Sequence, residues 1–345
     1  MDKKILNKIM QEKKLDVVIS FADQTRYWFT KVKSSYGFLF IEKDEANLFV
    51  DSRYILLAKQ VAENCKNNLL TKKNIQNFIF KKNNSYKRIG FESDYATIDE
   101  YEKIKKWFPN SELISINGQF LRQTKTKKEI KNIKTAAQIG LRCFEELKEY
   151  IVPGVTEKEL AAKLEYLFKV AGAEKQSFDT IVASGINGAK PHAVPSNKKI
   201  ENGEFVTFDF GTYYNGYASD TTRTIQVGEV KNPKLLEIYK IVEEAQKLGI
   251  EAIKPGITGS EIDKICRDYI IEKGYGEYFG HGTGHGLGID IHELPNTNGS
   301  NNNPLEPGNV VTVEPGIYIE GLGGVRIEDD ILVTENGFEV ISSIK

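Results

Sequence analysis

A weak internal repeat constrains this 345-residue chain more than any other feature, because two related halves must bury their apolar faces against one another. Pro153-Gly154-Val155-Thr156-Glu157-Lys158-Glu159-Leu160 is echoed by Pro255-Gly256-Ile257-Thr258-Gly259-Ser260-Glu261-Ile262, at an offset of 255 − 153 = 102. Each is a turn followed by an N-capping threonine with glutamate three residues on. Gly203-Glu204-Phe205-Val206-Thr207-Phe208-Asp209-Phe210-Gly211 returns as Gly308-Asn309-Val310-Val311-Thr312-Val313-Glu314-Pro315-Gly316, at 314 − 209 = 105. Gly216-Tyr217-Ala218-Ser219-Asp220 matches Gly324-Val325-Arg326-Ile327-Glu328, at 328 − 220 = 108. An acid holds the same place in each pair, so the repeat relates Asp209 to Glu314 and Asp220 to Glu328.

Each half reads as two helices followed by extended strands, which predicts an α+β domain with internal pseudo-two-fold symmetry. Residues 205–210 and 310–313 are nearly continuous runs of apolar β-formers, the pattern of strands covered on both faces. Each run ends at a carboxylate. A buried, unpaired carboxylate is strongly unfavourable, so four of them at symmetric strand ends predict a shared cation between the halves.

The first 120 residues do not take part in the repeat. A Lys-rich amphipathic opening leads to extended segments at 17–21, 36–41 and 47–50, a helical pattern at 53–63, and extended segments at 88–91 and 112–116 around a helical stretch at 99–107. This predicts a small α/β domain. Thr126 with Glu129 forms a capping box that opens the next helix, so the expected boundary falls near Gln123, giving domains 1–122 and 123–345. Lysine and arginine number 47 against 48 acids, and a net charge of −1 gives no global field that would draw the protein to nucleic acid. No run approaches the roughly 18 apolar residues of a membrane span, and the charged start Met1-Asp2-Lys3-Lys4 lacks an apolar signal segment, so a cytoplasmic location is expected. Cys65, Cys143 and Cys266 are too widely spaced for a zinc knuckle or a redox dithiol.

The chain has four histidines, His192, His281, His285 and His292, and all fall in the second domain. His281-Gly282-Thr283-Gly284-His285-Gly286-Leu287-Gly288 is glycine-rich, which lets the backbone approach a ligand closely. Asp209, Asp220, His285, Glu314 and Glu328 together form a carboxylate-rich, thiolate-free set with one imidazole. That composition suits two adjacent hard or borderline cations, Mn²⁺ first, with Co²⁺ or Zn²⁺ as alternatives, whereas a single zinc would want more nitrogen or sulfur. Two such ions lower the pKa of a bridging water and polarise a carbonyl, so the expected reaction class is metal-assisted hydrolysis. Singly, each residue has an ordinary explanation: Asp220 paired with Arg223, Glu328-Asp329-Asp330 as a solvated turn, Arg326 in a salt bridge, Tyr318 as a core aromatic. Jointly, the repeat register is hard to reconcile with all of them.

Pro191-His192, Asp209-Phe210-Gly211, Ser219-Asp220-Thr221-Thr222-Arg223-Thr224, the segment 281–288 with His292, Val313-Glu314-Pro315-Gly316 and Val325-Arg326-Ile327-Glu328-Asp329 resemble the pita-bread metallopeptidases, within them the Xaa-Pro aminopeptidase and prolidase branch. More diffusely, Arg26-Tyr27 and Asp51-Ser52-Arg53-Tyr54 resemble a creatinase-type N-terminal domain. The resemblance implies that Asp209, Asp220, His285, Glu314 and Glu328 hold two metal ions, and that Glu314 also relays protons. It implies that His292 stabilises the oxyanion and that His192 and His281 position the peptide or assist proton movement. Arg326 would tie the surrounding shell together, with Tyr318 hydrogen-bonded nearby.

Methionine aminopeptidases share the five-ligand pattern, but they normally lack such a first domain and a Thr-Arg-Thr segment like 222–224. The gap 328 − 314 = 14 between the two glutamates also looks too short for them. The branch implies an Xaa-Pro aminopeptidase acting on peptides with proline in second place, a prolidase cutting Xaa-Pro dipeptides, or a non-catalytic peptide-binding module of the same fold. The last usually loses the ligand carboxylates, which are all present here. The resemblance further implies a homodimer.

Overall fold

The protein is described from a computed structural model covering residues 3–343, so Met1 and Asp2 of the charged start lie outside the described residues. Two compact units divide at Arg122 and Gln123.

The first unit is built on a six-stranded mixed sheet of β1 (Val17–Ser20), β2 (Gly37–Ile41), β3 (Ala46–Val50), β4 (Lys66–Leu69), β5 (Arg88–Glu92) and β6 (Glu112–Ile116), in the order β4-β3-β2-β1-β5-β6. Its helices are α1 (Lys4–Glu12), α2 (Asp23–Thr30), α3 (Ile55–Val61), α4 (Lys72–Lys82) and α5 (Ile98–Trp107). Val17, Ile19, Phe38, Phe40, Phe49, Ile89 and Phe108 form its apolar core.

In the second unit the repeat becomes two halves of the same design. The first runs α6 (Lys127–Leu147), α7 (Glu157–Val170), β7 (Ile181–Ser184), β8 (Glu204–Phe210), β9 (Tyr213–Tyr214), β10 (Tyr217–Ala218) and β11 (Thr221–Val227). The second runs α8 (Pro233–Glu251), α9 (Gly259–Glu272), β12 (Gly284–Gly286), β13 (Glu293–Thr297), β14 (Val310–Val313), β15 (Gly316–Ile319), β16 (Gly323–Arg326), β17 (Asp329–Val333) and β18 (Phe338–Val340). Thr156 and Thr258 cap α7 and α9 in the same way: each hydroxyl accepts the N–H of the glutamate three residues on at 3.2 Å, and that glutamate accepts the threonine N–H at 2.8 Å. Strand β8 is covered on both faces, as its composition predicts. Val206, Phe208 and Phe210 pack with Phe144, Leu164 and Phe168 of α6 and α7, while Phe205 joins Ile238 and Val242 of α8 and Ile317 and Val325 of the opposite half. Val311, Val313 and Ile331 meet Ile262 and Cys266 of α9 in a third cluster.

Register then places the acids. β8 and β11 are antiparallel with Asp209 opposite Thr222, and β14 and β17 are antiparallel with Val313 opposite Asp329. Asp209 thus sits at the end of one hairpin's first strand and Asp220 just before its second, while Glu314 and Glu328 hold the equivalent places in the other. All three cysteines are free thiols. Among the described residues, no helix is long and apolar enough to cross a membrane.

Candidate metal centre

The strand ends converge on a cavity of about 610 Å³ in the second unit, lined by Asp209, Asp220, His285, Glu314 and Glu328 together with His192, His281, His292 and Arg326. His285 lies in the middle of β12. A Cβ at Gly284 would collide with the carbonyl and hydroxyl of Thr312, so only glycine lets β12 approach β14 this closely. Nδ1 of His285 is 3.1 Å from the Gly286 carbonyl, while Nε2 faces Asp220 Oδ2 at 3.5 Å and Glu314 Oε1 at 3.4 Å. A proton on Nδ1 donated to that carbonyl leaves the Nε2 lone pair aimed at the carboxylates, the arrangement of a metal-ligating imidazole. Burial pushes its pKa down to about 3, which keeps the ring neutral.

Three buried carboxylate oxygens, Asp209 Oδ1, Asp220 Oδ1 and Glu328 Oε1, have no hydrogen-bond partner among the described residues. Their companion oxygens are differently employed: Arg326 Nη2 donates to Asp209 Oδ2 at 2.7 Å, and the Thr222 hydroxyl donates to Glu328 Oε2 at 2.6 Å. Ligand atoms of Asp220, His285 and Glu328 lie within 4.8 Å of one another. Buried, unsatisfied carboxyl oxygens grouped around a neutral imidazole fit a divalent cation site. Burial, reinforced by the neighbouring acids, pushes the carboxyls of Asp220 and Glu328 well above the usual range. Burial also raises Glu314 to about 8.

These shifts fix the sign of a pH prediction. A carboxyl whose folded pKa is raised contributes stability that is complete below its unfolded pKa and lost as the pH rises through the folded value. For Glu314 that window runs from 4.5 to about 8, so the metal-free protein is expected to lose stability across it. Saturating Mn²⁺ is expected to raise Tm by roughly 5–10 °C at pH 8 and by less at pH 5.5, where protons compete for the same oxygens. Differential scanning fluorimetry with and without Mn²⁺ checks this, and a Tm indifferent to the cation at pH 8 would contradict it.

Behind the carboxylates, Arg326 ties the centre together. Besides Asp209 it donates to the Tyr318 hydroxyl at 2.9 Å, the Pro191 carbonyl at 3.2 Å and the Thr222 hydroxyl at 3.2 Å. Tyr318 does not line the cavity; it reaches it through this bond and a 2.9 Å contact with His281 Nε2. Burial pushes the Tyr318 hydroxyl up to about 12 and His281 down to about 4, so both are neutral near pH 7. The His292 ring stands edge-on to His285, with centroids 4.3 Å apart.

Of the site residues predicted from the sequence, all but Tyr318 line this cavity, and two of the ordinary single-residue explanations fail. Arg223 pairs with Asp329 at 2.7 Å rather than with Asp220. Asp330 is fully buried rather than part of a solvated turn, and it accepts the Asp220 N–H at 3.1 Å. Sequence reasoning passed over the hydroxyls of Thr222 and Thr312. The Thr312 hydroxyl donates to Glu314 Oε1 at 3.1 Å and accepts the His285 N–H at 3.0 Å. Its signal was available in the repeat, which sets Thr207 and Thr312 two residues before Asp209 and Glu314.

An α+β domain of two like halves, closed on a carboxylate-rich cation site, is the design of a pita-bread metallohydrolase. Residues 131–335 match metallopeptidase family M24, and residues 4–123 match the creatinase/prolidase N-terminal domain. The chain belongs to metallopeptidase family M24. An Xaa-Pro dipeptidase of Pyrococcus furiosus is 42% identical to it over 96% of this chain and 94% of its own. Among solved structures, the Xaa-Pro dipeptidase from Bacillus anthracis superimposes with a TM-score of 0.93 at 45% identity, covering 99% of this chain and 97% of that one. The X-Pro aminopeptidase from Thermotoga maritima does so with a TM-score of 0.90 at 35% identity, covering 98% of each.

Proposed function

We propose that this protein is a dinuclear Xaa-Pro aminopeptidase that hydrolyses the bond between an N-terminal residue and a following proline, with Mn²⁺ as the cation. The observation that carries the reading is the group of three buried carboxylate oxygens without partners, facing a neutral imidazole in a cavity large enough for a short peptide. Asp209, Asp220, His285, Glu314 and Glu328 would hold the ions. When bound, they supply Lewis-acid polarisation of the scissile carbonyl and a water acidic enough to attack it at neutral pH. Glu314 takes the proton from the attacking water and returns it to the leaving nitrogen. His292 donates a hydrogen bond to the developing oxyanion, and His192 and His281 orient the peptide from either side. Arg326 holds Asp209 in place and, with Tyr318, fixes His281. A proline amide lacks an N–H and has a fixed φ, so a dedicated pocket is needed to bind it. Phe178, Ile181 and Ala193 give the cavity an apolar wall suited to that ring.

The names of the Pyrococcus and Bacillus relatives favour a second reading, that of a prolidase restricted to dipeptides. Mass spectrometry of an Xaa-Pro dipeptide and an Xaa-Pro-Yaa tripeptide incubated separately with the Mn²⁺-loaded protein tests both. Release of the first residue from the tripeptide is expected. Cleavage of the dipeptide alone would establish the prolidase instead. The proposal includes a homodimer, and light scattering is expected to give about twice the 38.9 kDa chain mass; a monomer would remove that part of it.

A further inference from the structure

Outside the metal centre, one buried acid gathers more hydrogen bonds than any carboxylate facing the cavity. Glu157, the first residue of α7, is fully buried, and its two oxygens are divided between the two ends of the loop joining β7 to the segment before β8. Oε1 accepts the Ser184 N–H at 2.7 Å and the Ser184 hydroxyl at 2.8 Å. Oε2 accepts the Ser196 N–H at 3.0 Å and the Ser196 hydroxyl at 2.6 Å. The Asn187 amide donates to both, at 3.1 and 3.2 Å. Burial raises the carboxyl pKa, but the bonds from Ser196, Ser184 and Asn187 outweigh it and hold the group ionised below the usual range. The N-terminus of α7 favours the same charge.

Between the two clamped ends lie Pro191, His192, Ala193 and Val194, which form one wall of the cavity. The repeat supplies a control. The residue equivalent to Glu157, at 259 − 157 = 102, is Gly259, where a Cβ would collide with the Asn296 carbonyl. There the backbone of Asn296, which also lines the cavity, packs directly on the start of α9, and Ser260 N–H donates to the Asn301 carbonyl at 2.9 Å. Helix α9 begins with the same capping box as α7 and has no acid at that position, so the helix start does not require Glu157.

We propose that Glu157 is a positioning residue, a staple that fixes the wall at 191–194 against which the peptide binds. The catalytic consequence rests on the Xaa-Pro reading; the staple itself does not.

The test compares metal-loaded wild type, Glu157→Gln and Glu157→Ala by hydrogen–deuterium exchange, metal content, and kcat and KM on an Ala-Pro-Ala tripeptide. In Glu157→Ala, exchange over 184–196 is expected to quicken at least about tenfold and elsewhere to stay as in wild type. Metal content should be unchanged, with KM rising about tenfold and kcat falling less than about threefold. Glu157→Gln keeps one accepting oxygen and is expected to fall between, and it carries the test if the alanine variant does not fold. Unchanged exchange over 184–196 would overturn the staple, and a loosened loop with unchanged KM would overturn its positioning role. Loss of metal in step with the KM change would also overturn that role. If the wild type leaves Xaa-Pro peptides uncut, the peptidase reading and the catalytic role fall together, while the exchange measurement still decides the staple.

Discussion

Glu314→Ala is expected to abolish peptide hydrolysis, lowering kcat/KM by at least about a thousandfold, while the protein stays folded. The side chain follows β14 directly, with Oε1 3.4 Å from His285 Nε2 and 3.1 Å from the Thr312 hydroxyl. Alanine therefore removes a proposed metal ligand and the proposed proton acceptor in one step. Above about pH 8, where burial no longer keeps Glu314 protonated, it also removes one negative charge from a buried cluster of acids, so there the metal-free variant should be no less stable than metal-free wild type. Steady-state kinetics and thermal unfolding followed by circular dichroism separate the two effects. Activity within a few-fold of wild type would show that Glu314 is not part of the reacting centre.

Arg326→Leu is the counterpart, where stability and activity should fall together. Arg326 is only 3% exposed, and removing its guanidinium leaves the Asp209 carboxylate, the Pro191 carbonyl and the Tyr318 and Thr222 hydroxyls each short of a donor. Breaking a buried charge pair from one side costs about 3–5 kcal/mol, which for a domain of this size lowers Tm by roughly 6–20 °C. A proposed metal ligand held less firmly should also lower kcat/KM by about a hundredfold. Lysine keeps the charge but cannot span four acceptors at once, so Arg326→Lys should recover little. A leucine variant with wild-type Tm would mean that Asp209 does not depend on this contact.

What could be read from the sequence was what chain-local rules and the repeat encode. The capping boxes at Thr126, Thr156 and Thr258 are formed within four residues of chain, and all three are present. Strands β8 and β14 were legible because residues covered on both faces are apolar throughout. The N-terminal unit was read less completely. Helix α4 buries only Ile75 fully and is rich in lysine and asparagine, so it has little apolar stripe to detect, and β4 has no fully buried residue at all. Within the site, acids and histidines stood out because burying them needs a reason. The hydroxyls of Thr222 and Thr312 did not, since threonine is ordinary in a strand and only the register shows what it faces. The partners that Asp330 and Arg223 take were not legible for a related cause: they lie on the other half of the repeat, a little over a hundred residues away, where nothing local points to them.

The four acids and His285 are proposed to form a cation centre on which Xaa-Pro hydrolysis depends, and a mass-spectrometric digest of one Xaa-Pro-Yaa tripeptide by the chelator-stripped protein, titrated with Mn²⁺, tests this. No cleavage is expected at zero metal, with activity rising to a plateau near two equivalents per chain. Cleavage by the stripped protein at the rate of the loaded one, or no cleavage at any Mn²⁺ level, would contradict it.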